Sequence, residues 1–318
     1  MPTLSFDKQD KDAEPIAVVR GGDMNGALLY LNKADGGAGK TIRREIPAAR
    51  YADDLKAFKL GDRAKIISRI QEALDKGVEP DKFAGAEPER KLLERIIADA
   101  KEDNGKVIEL PTDSVFEVIP TPDPKARQVF YVAGQSGSGK SYFARSIAQN
   151  YRKLYPERGV YLISKLTEDE TLDKMEGGKP ARIDIKTLID DYPKLEEFRD
   201  CLVIADDWDT LDKDEFKVVH KLIEDIAIMG RHTNTSLLIL SHYLNNYKST
   251  RLMLLEAHFL VLYPQSTSTK ALRYVLENYA GLDKEDIIEA RRYGRWVCVK
   301  KGFPMFMIGA NKAQMLNV

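Results

Sequence analysis

The chain has 318 residues, enough for one large domain or two ordinary ones with a substantial apolar core. Its 49 basic and 50 acidic residues nearly cancel, which excludes a protein that binds nucleic acid through net charge alone, although a local basic surface is still allowed. The two cysteines, Cys201 and Cys298, are too few for a disulfide framework, and each lies in an apolar run, which predicts buried thiols in a reducing compartment.

The start of the chain carries no recognisable targeting signal. Acidic residues lie in MPTLSFDKQDKDAEP, where a signal peptide has a basic region followed by an apolar stretch. No window approaches the roughly 18 apolar residues that a spanning helix needs. We therefore expect a protein that is not secreted, works inside a cell and has no membrane partner.

Residues 1–125 are predicted to form a smaller α+β region. The first dozen residues are polar and are expected to be frayed. After them, hydrophobic patterns predict two short strands within 16–31, helices over 62–75 and 88–100, and a strand over 115–120. Two prolines and a charge cluster in TPDPKAR then place a domain boundary near residue 125.

Residues 126–318 change to apolar strand-like runs that alternate with helical stretches. Runs that are apolar on both faces and separated by helices indicate an α/β fold, in which a parallel sheet is covered on both sides. Two helices within 268–292 and a closing strand pair complete this region. The five runs are 129–133, 160–164, 201–205, 236–240 and 259–263.

A phosphate-binding loop follows the first of these runs. The pattern G-x-x-x-x-G-K-[ST] lies between a strand and an amphipathic helix, in the order that such a loop requires. Its glycines let backbone N–H groups point at phosphate oxygens, and the positive end of the helix faces the same anion. The residues expected to bind the nucleotide are Gly134, Gln135, Ser136, Gly137, Ser138, Gly139, Lys140, Ser141 and Tyr142.

A second segment, Ala34 to Thr41, fits a relaxed form of the same pattern. Its first glycine is replaced by alanine, and Pro47 would break any helix within two turns. We interpret its glycines as a hairpin turn.

Two carboxylates, Asp206 and Asp207, follow the apolar run CLVIA. Acids at the tip of a parallel strand face the crevice where α/β folds bind ligands, and Mg²⁺ prefers hard oxygen ligands. We assign Asp206, together with Ser141, to Mg²⁺ and Asp207 to the attacking water. Asp209 is an alternative for the second role, and a solvated acidic loop is an alternative for the whole segment.

One strand lies in sequence between the loop strand and the acidic strand. This arrangement is typical of sheets with the order 5-1-4-3-2, the RecA- and AAA-like architecture. In that order strand four ends between the two halves of the site, at Ser241 and His242. We therefore expect His242 to sense the γ-phosphate or the attacking water.

Arg231 lies between a helix that ends near Gly230 and strand four. From this position the side chain has two possible roles. It would act as a finger on the nucleotide of a neighbouring subunit in a ring, or it would neutralise the carboxyl end of its own helix.

Together, GQSGSGKS, VIADD and GRHTNTSLLILSH resemble the FtsK/HerA-like ATPases, and among them the poxvirus-type genome-packaging ATPases of large DNA viruses. The resemblance covers roughly 115–310. It implies an arginine finger at Arg231, which the family carries before strand four. His242 departs from the glutamine that the family often has there.

The resemblance implies an ATP-hydrolysing motor with Mg²⁺ that moves double-stranded DNA, as a homo-oligomeric ring docked on capsid proteins, in the host cytoplasm or viral factory or on the virion. A basic cluster, Arg291, Arg292 and Arg295, would contact phosphates or cap a helix. Two alternatives stay open: an NTP-binding scaffold or switch with slow hydrolysis, and a phosphate-loop kinase with 165–182 as its lid.

Overall fold

The computed structural model describes residues 2–33, 46, 48, 50–102 and 106–316 of the chain. The segment Ala34 to Thr41 lies outside the described residues, so its assignment to a turn stays a prediction. Within the described part of the chain, no helix is both long enough and apolar enough to cross a membrane.

The N-terminal region contains a small antiparallel sheet and two helices. The sheet has the order β1-β3-β2-β5, and the expected strands and helices are confirmed. The expectation that the first dozen residues are frayed is wrong, because β1 pairs with β3 and Leu4 is fully buried in the core beneath them. The elements are β1 (Thr3–Ser5), β2 (Glu14–Arg20), β3 (Leu28–Asn32), α1 (Arg63–Asp75), α2 (Glu87–Glu102), β4 (Val107–Glu109) and β5 (Val115–Val118).

The rest of the chain forms most of a ten-stranded sheet with helices on both faces. Its first elements are β6 (Val129–Ala133), α3 (Lys140–Leu154), β7 (Val160–Ile163), β8 (Ala181–Ile183), α4 (Ile185–Asp190), β9 (Leu202–Ala205), α5 (Lys213–Met229) and β10 (Ser236–Ser241). Its last elements are α6 (Arg251–Glu256), β11 (Phe259–Leu262), α7 (Thr269–Tyr279), α8 (Lys284–Ala290), β12 (Val297–Lys300), β13 (Phe306–Gly309) and β14 (Lys312–Met315).

The centre of the large sheet is parallel. The full order is β4-β14-β13-β12-β11-β6-β10-β9-β7-β8, and the strands from β11 to β8 all run in one direction. Numbered along the chain, the five strands expected from the sequence stand in the order 5-1-4-3-2 (β11, β6, β10, β9 and β7). The carboxyl ends of β6, β9 and β10 therefore meet at one edge, called the carboxyl edge below.

Two apolar cores lie on opposite faces of this sheet. One contains α5, α7 and α8, and the other contains α3 together with the small N-terminal sheet. Side chains of the central strands alternate between the two cores, as Tyr131 and Val132 do in β6. Both cysteines are free and buried, as expected. The helices α1 and α2 form a third, separate cluster around Ile70 and Leu93.

The domain boundary near residue 125 stays a prediction. Strand β4 precedes it in the chain but belongs to the large sheet, where it pairs with β14. The expected closing strand pair, β12 and β13, is extended by β14, which the sequence pattern did not predict. The N-terminal region is therefore joined to the rest of the fold by strand pairing as well as by apolar packing.

Candidate functional site

The loop between β6 and α3 has the backbone that the motif predicts. Gly137 and Gly139 have φ angles of 76° and 112°, a region that residues with a Cβ rarely adopt. Gly134 is required for a different reason, because a Cβ there would lie 2.7 Å from the Ser138 hydroxyl oxygen. Its N–H donates to the carbonyl of Ser241, 3.2 Å away, so the loop is tied to the tip of β10.

Lys140 lies at the centre of this loop, with its ammonium group directed back at the backbone. Its Nζ donates to the carbonyl oxygens of Gly134, at 2.9 Å, and Gln135, at 3.3 Å. Burial lowers the pKa of Lys140, and the carboxylates at the carboxyl edge, Asp206 among them, oppose that effect. A buried cation is thus held where the phosphates of a nucleotide would enter.

Asp206 is the first residue after β9 and is buried, with 4% of its surface exposed. Burial raises its pKa to about 7, and repulsion from Asp207 and Asp169 adds to this, while Lys140 acts in the opposite direction. Its Oδ1 accepts the N–H of Asp207 at 3.1 Å. A divalent cation would remove the cost of this buried negative charge.

Asp207 and His242 come from neighbouring strands and meet at the carboxyl edge. The His242 Nε2 and Asp207 Oδ1 atoms are 3.0 Å apart, and about a third of each side chain is exposed. Asp207 has a left-handed backbone with a φ angle of 52°, which turns the chain sharply after Asp206. The histidine expected near the attacking water thus contacts the carboxylate that we assign to that water.

Asp209, the alternative to Asp207, is engaged with the tip of β10. Its Oδ2 accepts the Ser241 hydroxyl at 2.9 Å and the His242 N–H at 2.7 Å. Its Oδ1 is buried and has no hydrogen-bond partner among the described residues. The geometry gives Asp209 the role of holding the end of β10 in place, since one of its oxygens is buried and the other accepts two hydrogen bonds.

The residues assigned to Mg²⁺ supply donors of the right kind. Ser141 lies in the first turn of α3, and Asp206 contributes the buried carboxylate. No group of three or more His, Cys, Asp or Glu side chains suited to a metal occurs in the described ranges. Mg²⁺ does not need one, because it commonly takes one or two protein oxygens and completes its shell with water and substrate phosphates. The donor set therefore fits Mg²⁺ bound together with a nucleotide.

Arg231 lies at the opposite edge of the sheet, before β10, and is exposed. Its Nε is 3.4 Å from the His232 Nε2 atom. The carboxyl end of α5 is instead occupied by Arg127, which donates to the carbonyls of Ile226 and Ala227, both at 2.7 Å. Gly230 leaves room for this contact, since a Cβ there would lie 2.7 Å from Arg127 Nη1. The structure thus does not bring Arg231 to its own phosphate loop.

Three further side chains of interest lie on the other side of the loop. Tyr142 is 70% exposed. Arg295, expected to contact phosphates or cap a helix, donates through Nε to the Ser138 carbonyl at 2.9 Å, whereas its neighbour Arg292 pairs with Glu289. Trp296 packs edge-on against Phe143 of α3, with ring centroids 5.5 Å apart. Only long-range folding brings Arg295 to the loop, so no local sequence pattern signals this contact.

Solved structures give partial likenesses. The genome-packaging NTPase B204 of Sulfolobus turreted icosahedral virus 2, in complex with ATP-gammaS, has a TM-score of 0.38 and 11% identity, covering 59% of this chain and 99% of that chain. The pCW3 conjugation coupling protein TcpA, in its monomer form with ATPgS, has a TM-score of 0.42 and 14% identity, covering 94% of this chain and 77% of that chain.

The sequence matches no model of a known protein family. It is 34% identical over 204 residues to the uncharacterized protein V3 of Sputnik virophage, and the matched region covers 62% of this chain and 81% of V3. A match of this strength over most of the relative's length indicates common descent. The chain therefore belongs to the same family as the Sputnik virophage protein V3.

Proposed function

We propose that this protein hydrolyses a nucleoside triphosphate, with ATP as the expected substrate, at the carboxyl edge of the RecA-like strand order. The observation that carries the proposal is the meeting of a buried cation, a buried carboxylate and an Asp–His pair around one glycine-rich loop. Lys140, Asp206 and the pair of Asp207 with His242 are the groups involved. Each supplies a different part of what phosphoryl transfer to water requires.

Binding would begin at the loop and the amino end of α3. The backbone N–H groups of the loop would donate to phosphate oxygens, and Lys140 would contact the β- and γ-phosphates. Ser141 and Asp206 would hold Mg²⁺, which neutralises charge on the phosphate oxygens when it is bound. Because Asp206 is buried, with 4% of its surface exposed, water would compete little with a cation for its carboxylate.

Hydrolysis would use Asp207 and His242 as a unit. The carboxylate of Asp207 would orient a water molecule and accept its proton as the water attacks the γ-phosphate; the bond between the γ-phosphorus and the β–γ bridging oxygen would break, and the nucleoside diphosphate would leave. His242 would donate a hydrogen bond from its Nε2–H to Asp207, across the 3.0 Å contact, and so fix the direction of that carboxylate without transferring a proton to it.

The exposed position of Arg231 supports a nucleotide site that is shared between two copies of the chain. It is exposed at the far edge of the sheet, and Arg127 already satisfies the helix end that Arg231 would otherwise neutralise. We propose that Arg231 reaches the nucleotide of a neighbouring subunit in a homo-oligomeric ring. Fingers of this kind accelerate hydrolysis by about 10³–10⁵-fold.

The biological task that we propose is movement of double-stranded DNA, for packaging of a viral genome. This rests on the resemblance of the three motifs to the FtsK/HerA-like ATPases, and a virophage relative agrees with a viral setting. Capsid proteins are the partners expected of such a motor, in a viral factory or on the virion.

The kinase alternative loses support from the segment 165–182. A lid would have to swing over an acceptor, but Arg152 of α3 donates to the carbonyl of Lys179 at 2.8 Å, and Lys153 of α3 pairs with Glu176 at 3.0 Å. Leu172 of the same segment is fully buried in the core beneath α3. This segment is packed onto the domain at several points.

The proposal is tested by the steady-state ATPase rate with and without long double-stranded DNA. We expect DNA to raise the rate of the wild type, and Lys140→Ala to abolish activity by removing nucleotide binding. Lys153→Ala is the matched control, since Lys153 is on the same helix but pairs with Glu176 at the surface. Turnover that requires a small hydroxyl acceptor would identify a kinase, and nucleotide binding with no turnover under any condition would identify a scaffold.

A further inference from the structure

The strand order determines on which side of the phosphate loop the base and ribose of a bound nucleotide would lie. Strand β6 lies between β10 and β11, so the loop has one neighbour on each side. The reacting end must face β10 and β9, because Asp206, Asp207 and His242 follow those strands. The part of the nucleotide beyond the phosphates is then directed to the other side, toward β11.

A groove of about 240 Å³ lies on that side, beside the phosphate loop. The groove is lined by residues from six separate parts of the chain. We call it the base groove and define it by Arg20, Glu117, Tyr142, Tyr263, Arg295 and Trp296.

One end of the base groove is joined directly to the loop by Arg295. Its Nε donates to the Ser138 carbonyl at 2.9 Å, and its Nη2 lies 3.4 Å from the Gly137 carbonyl. The guanidinium plane lies close over Gly139, where an added Cβ would be only 3.2 Å from Nη2. A flat cation is therefore present where the groove leaves the phosphate site, and guanidinium groups stack well on planar rings.

Aromatic side chains line the groove beyond Arg295. Trp296 is half-buried against Phe143, and Tyr142 is 70% exposed. Base stacking on such rings tolerates any base, because every base has a π-face. Two buried hydroxyls of the lining, Ser138 Oγ and Tyr263 Oη, have no hydrogen-bond partner within the described part of the chain.

The outer wall comes from the small N-terminal sheet. Arg20 of β2 and Glu117 of β5 form a two-point ion pair, with Nε to Oε2 at 3.0 Å and Nη2 to Oε1 at 3.2 Å. Asn150 of α3 also donates to Glu117, which fixes this wall to the helix that follows the phosphate loop. The pair is partly exposed, at 40% and 26%, so it can contact a ligand in the groove, and the Glu117 carboxylate already accepts hydrogen bonds from Arg20 and Asn150.

We infer that the base groove binds the base and ribose of the nucleoside triphosphate, and that the N-terminal sheet forms part of the nucleotide site through Arg20 and Glu117. The inference rests on the proposed hydrolysis of a nucleoside triphosphate. In it, Trp296 and Tyr142 stack on the base, and Glu117 accepts a hydrogen bond from a ribose hydroxyl or a base amino group. Residues remote in sequence from the phosphate loop would thus decide how tightly the nucleoside is bound.

The test compares two ligands of the full chain, MgATP and magnesium tripolyphosphate, by titration calorimetry. Tripolyphosphate has the phosphates but no base or ribose. We expect Trp296→Ala and Glu117→Gln to weaken MgATP binding, by on the order of tenfold for the tryptophan, and to leave tripolyphosphate binding unchanged. Arg273→Ala is the control, because Arg273 is an exposed arginine of α7 that pairs with Glu277 outside the groove.

Trp296→Phe provides a second readout that does not depend on the alanine variant folding. Phenylalanine keeps an aromatic contact with Phe143 but removes one of the two tryptophans of the chain. We expect ATP, and not tripolyphosphate, to quench the tryptophan fluorescence of the wild type, and the quench to be lost in Trp296→Phe.

The outcomes separate the groove assignment from the proposed function. If the wild type binds neither ligand, or if Lys140→Ala binds both normally, the proposed function fails and the groove assignment fails with it. If Lys140→Ala loses both ligands but the groove variants bind MgATP like the wild type, only the groove assignment is overturned. Equal weakening of both ligands by the groove variants would also overturn it.

Discussion

His242 and Asp207 hydrogen-bond to each other at 3.0 Å, although they follow different strands and are separated in sequence by the whole of α5. The contact is possible because β9 and β10 are adjacent and parallel, so their carboxyl ends meet. A second carboxylate, Asp209, accepts the backbone N–H of His242 at 2.7 Å and so ties the end of β10 to the acidic segment after β9.

Replacement of His242 tests whether this contact serves hydrolysis. We expect His242→Ala to lower kcat by about 100-fold, because Asp207 loses the donor that orients it, while ATP affinity stays near that of the wild type. His242→Gln should retain more activity, since its amide also donates a hydrogen bond. The measurement is steady-state ATPase together with nucleotide binding. A kcat for His242→Ala equal to that of the wild type would contradict the role of the histidine.

Mixtures of inactive subunits test the position of Arg231. Arg231→Ala should bind nucleotide normally but lose hydrolysis by roughly 10³-fold, because the finger acts on a neighbouring subunit. Asp207→Ala should be inactive through its own site. When the two variants are mixed, rings that pair an intact finger with an intact site should recover partial activity. Absence of recovery at every mixing ratio would remove the main support for action between subunits.

Replacements of Arg127 and of Arg231, the two arginines near the end of α5, should differ in their effect on the free energy of unfolding. Arg127→Met removes two hydrogen bonds from a cation to helix-end carbonyls, and we expect the free energy of unfolding to fall by about 2 kcal/mol. Arg231→Ala should leave it within about 0.5 kcal/mol, since Arg231 is exposed. Urea unfolding followed by circular dichroism measures both. Equal losses would mean that Arg231 also supports the helix.

The buried carboxylate of Asp206 should make the stability of the protein depend on pH. Burial raises its pKa to about 7, from an ordinary value of 3.8, so between these values the folded state binds more protons than the unfolded state. Without metal or nucleotide, this residue should therefore lower the stability as the pH rises from about 4 to 7, by at most roughly 1.4 kcal/mol per pH unit. Asp206→Asn should remove this slope and be more stable than the wild type at pH 8, yet inactive.

Unfolding titrations in the presence of EDTA at several pH values measure the effect. Asp190→Asn serves as the control, because Asp190 is exposed at the end of α4. If the difference in stability between the wild type and Asp206→Asn were the same at pH 5 and at pH 8, ionisation of the buried carboxylate would carry no such cost.

The central strands and the phosphate loop could be predicted because their signals are local. Runs such as 129–133 and 236–240 are apolar throughout, and the loop motif specifies spacing within a single turn of chain. The short strands β1, β4 and β8 have three residues each, and they are ordered by the strands beside them. A short stretch of sequence around each of these strands does not include the partner strand that stabilises it.

The residues of the site also divide into those that a local sequence pattern predicts and those that it does not. Lys140, Asp206 and His242 each follow a recognisable strand, so the topology alone predicts that they converge. Arg295 lies in an irregular segment before β12, and its contact with the Ser138 carbonyl depends on where the whole C-terminal part of the chain packs. The sequence interpretation of Gly230 as a simple helix stop missed its neighbour Arg127, which comes from before β6.

The pairing of β4 with β14 joins the N-terminal region to the last strand of the described chain in one sheet, with Val107 beside Gln314. During synthesis the sheet is complete only after β14 has emerged from the ribosome, so β4 lacks its pairing partner until then. A fragment that begins at residue 126 would leave β14 with a free row of backbone N–H and carbonyl groups, and unpaired edges of this kind recruit other chains. Such a fragment should aggregate on expression, even though it contains every residue of the phosphate loop.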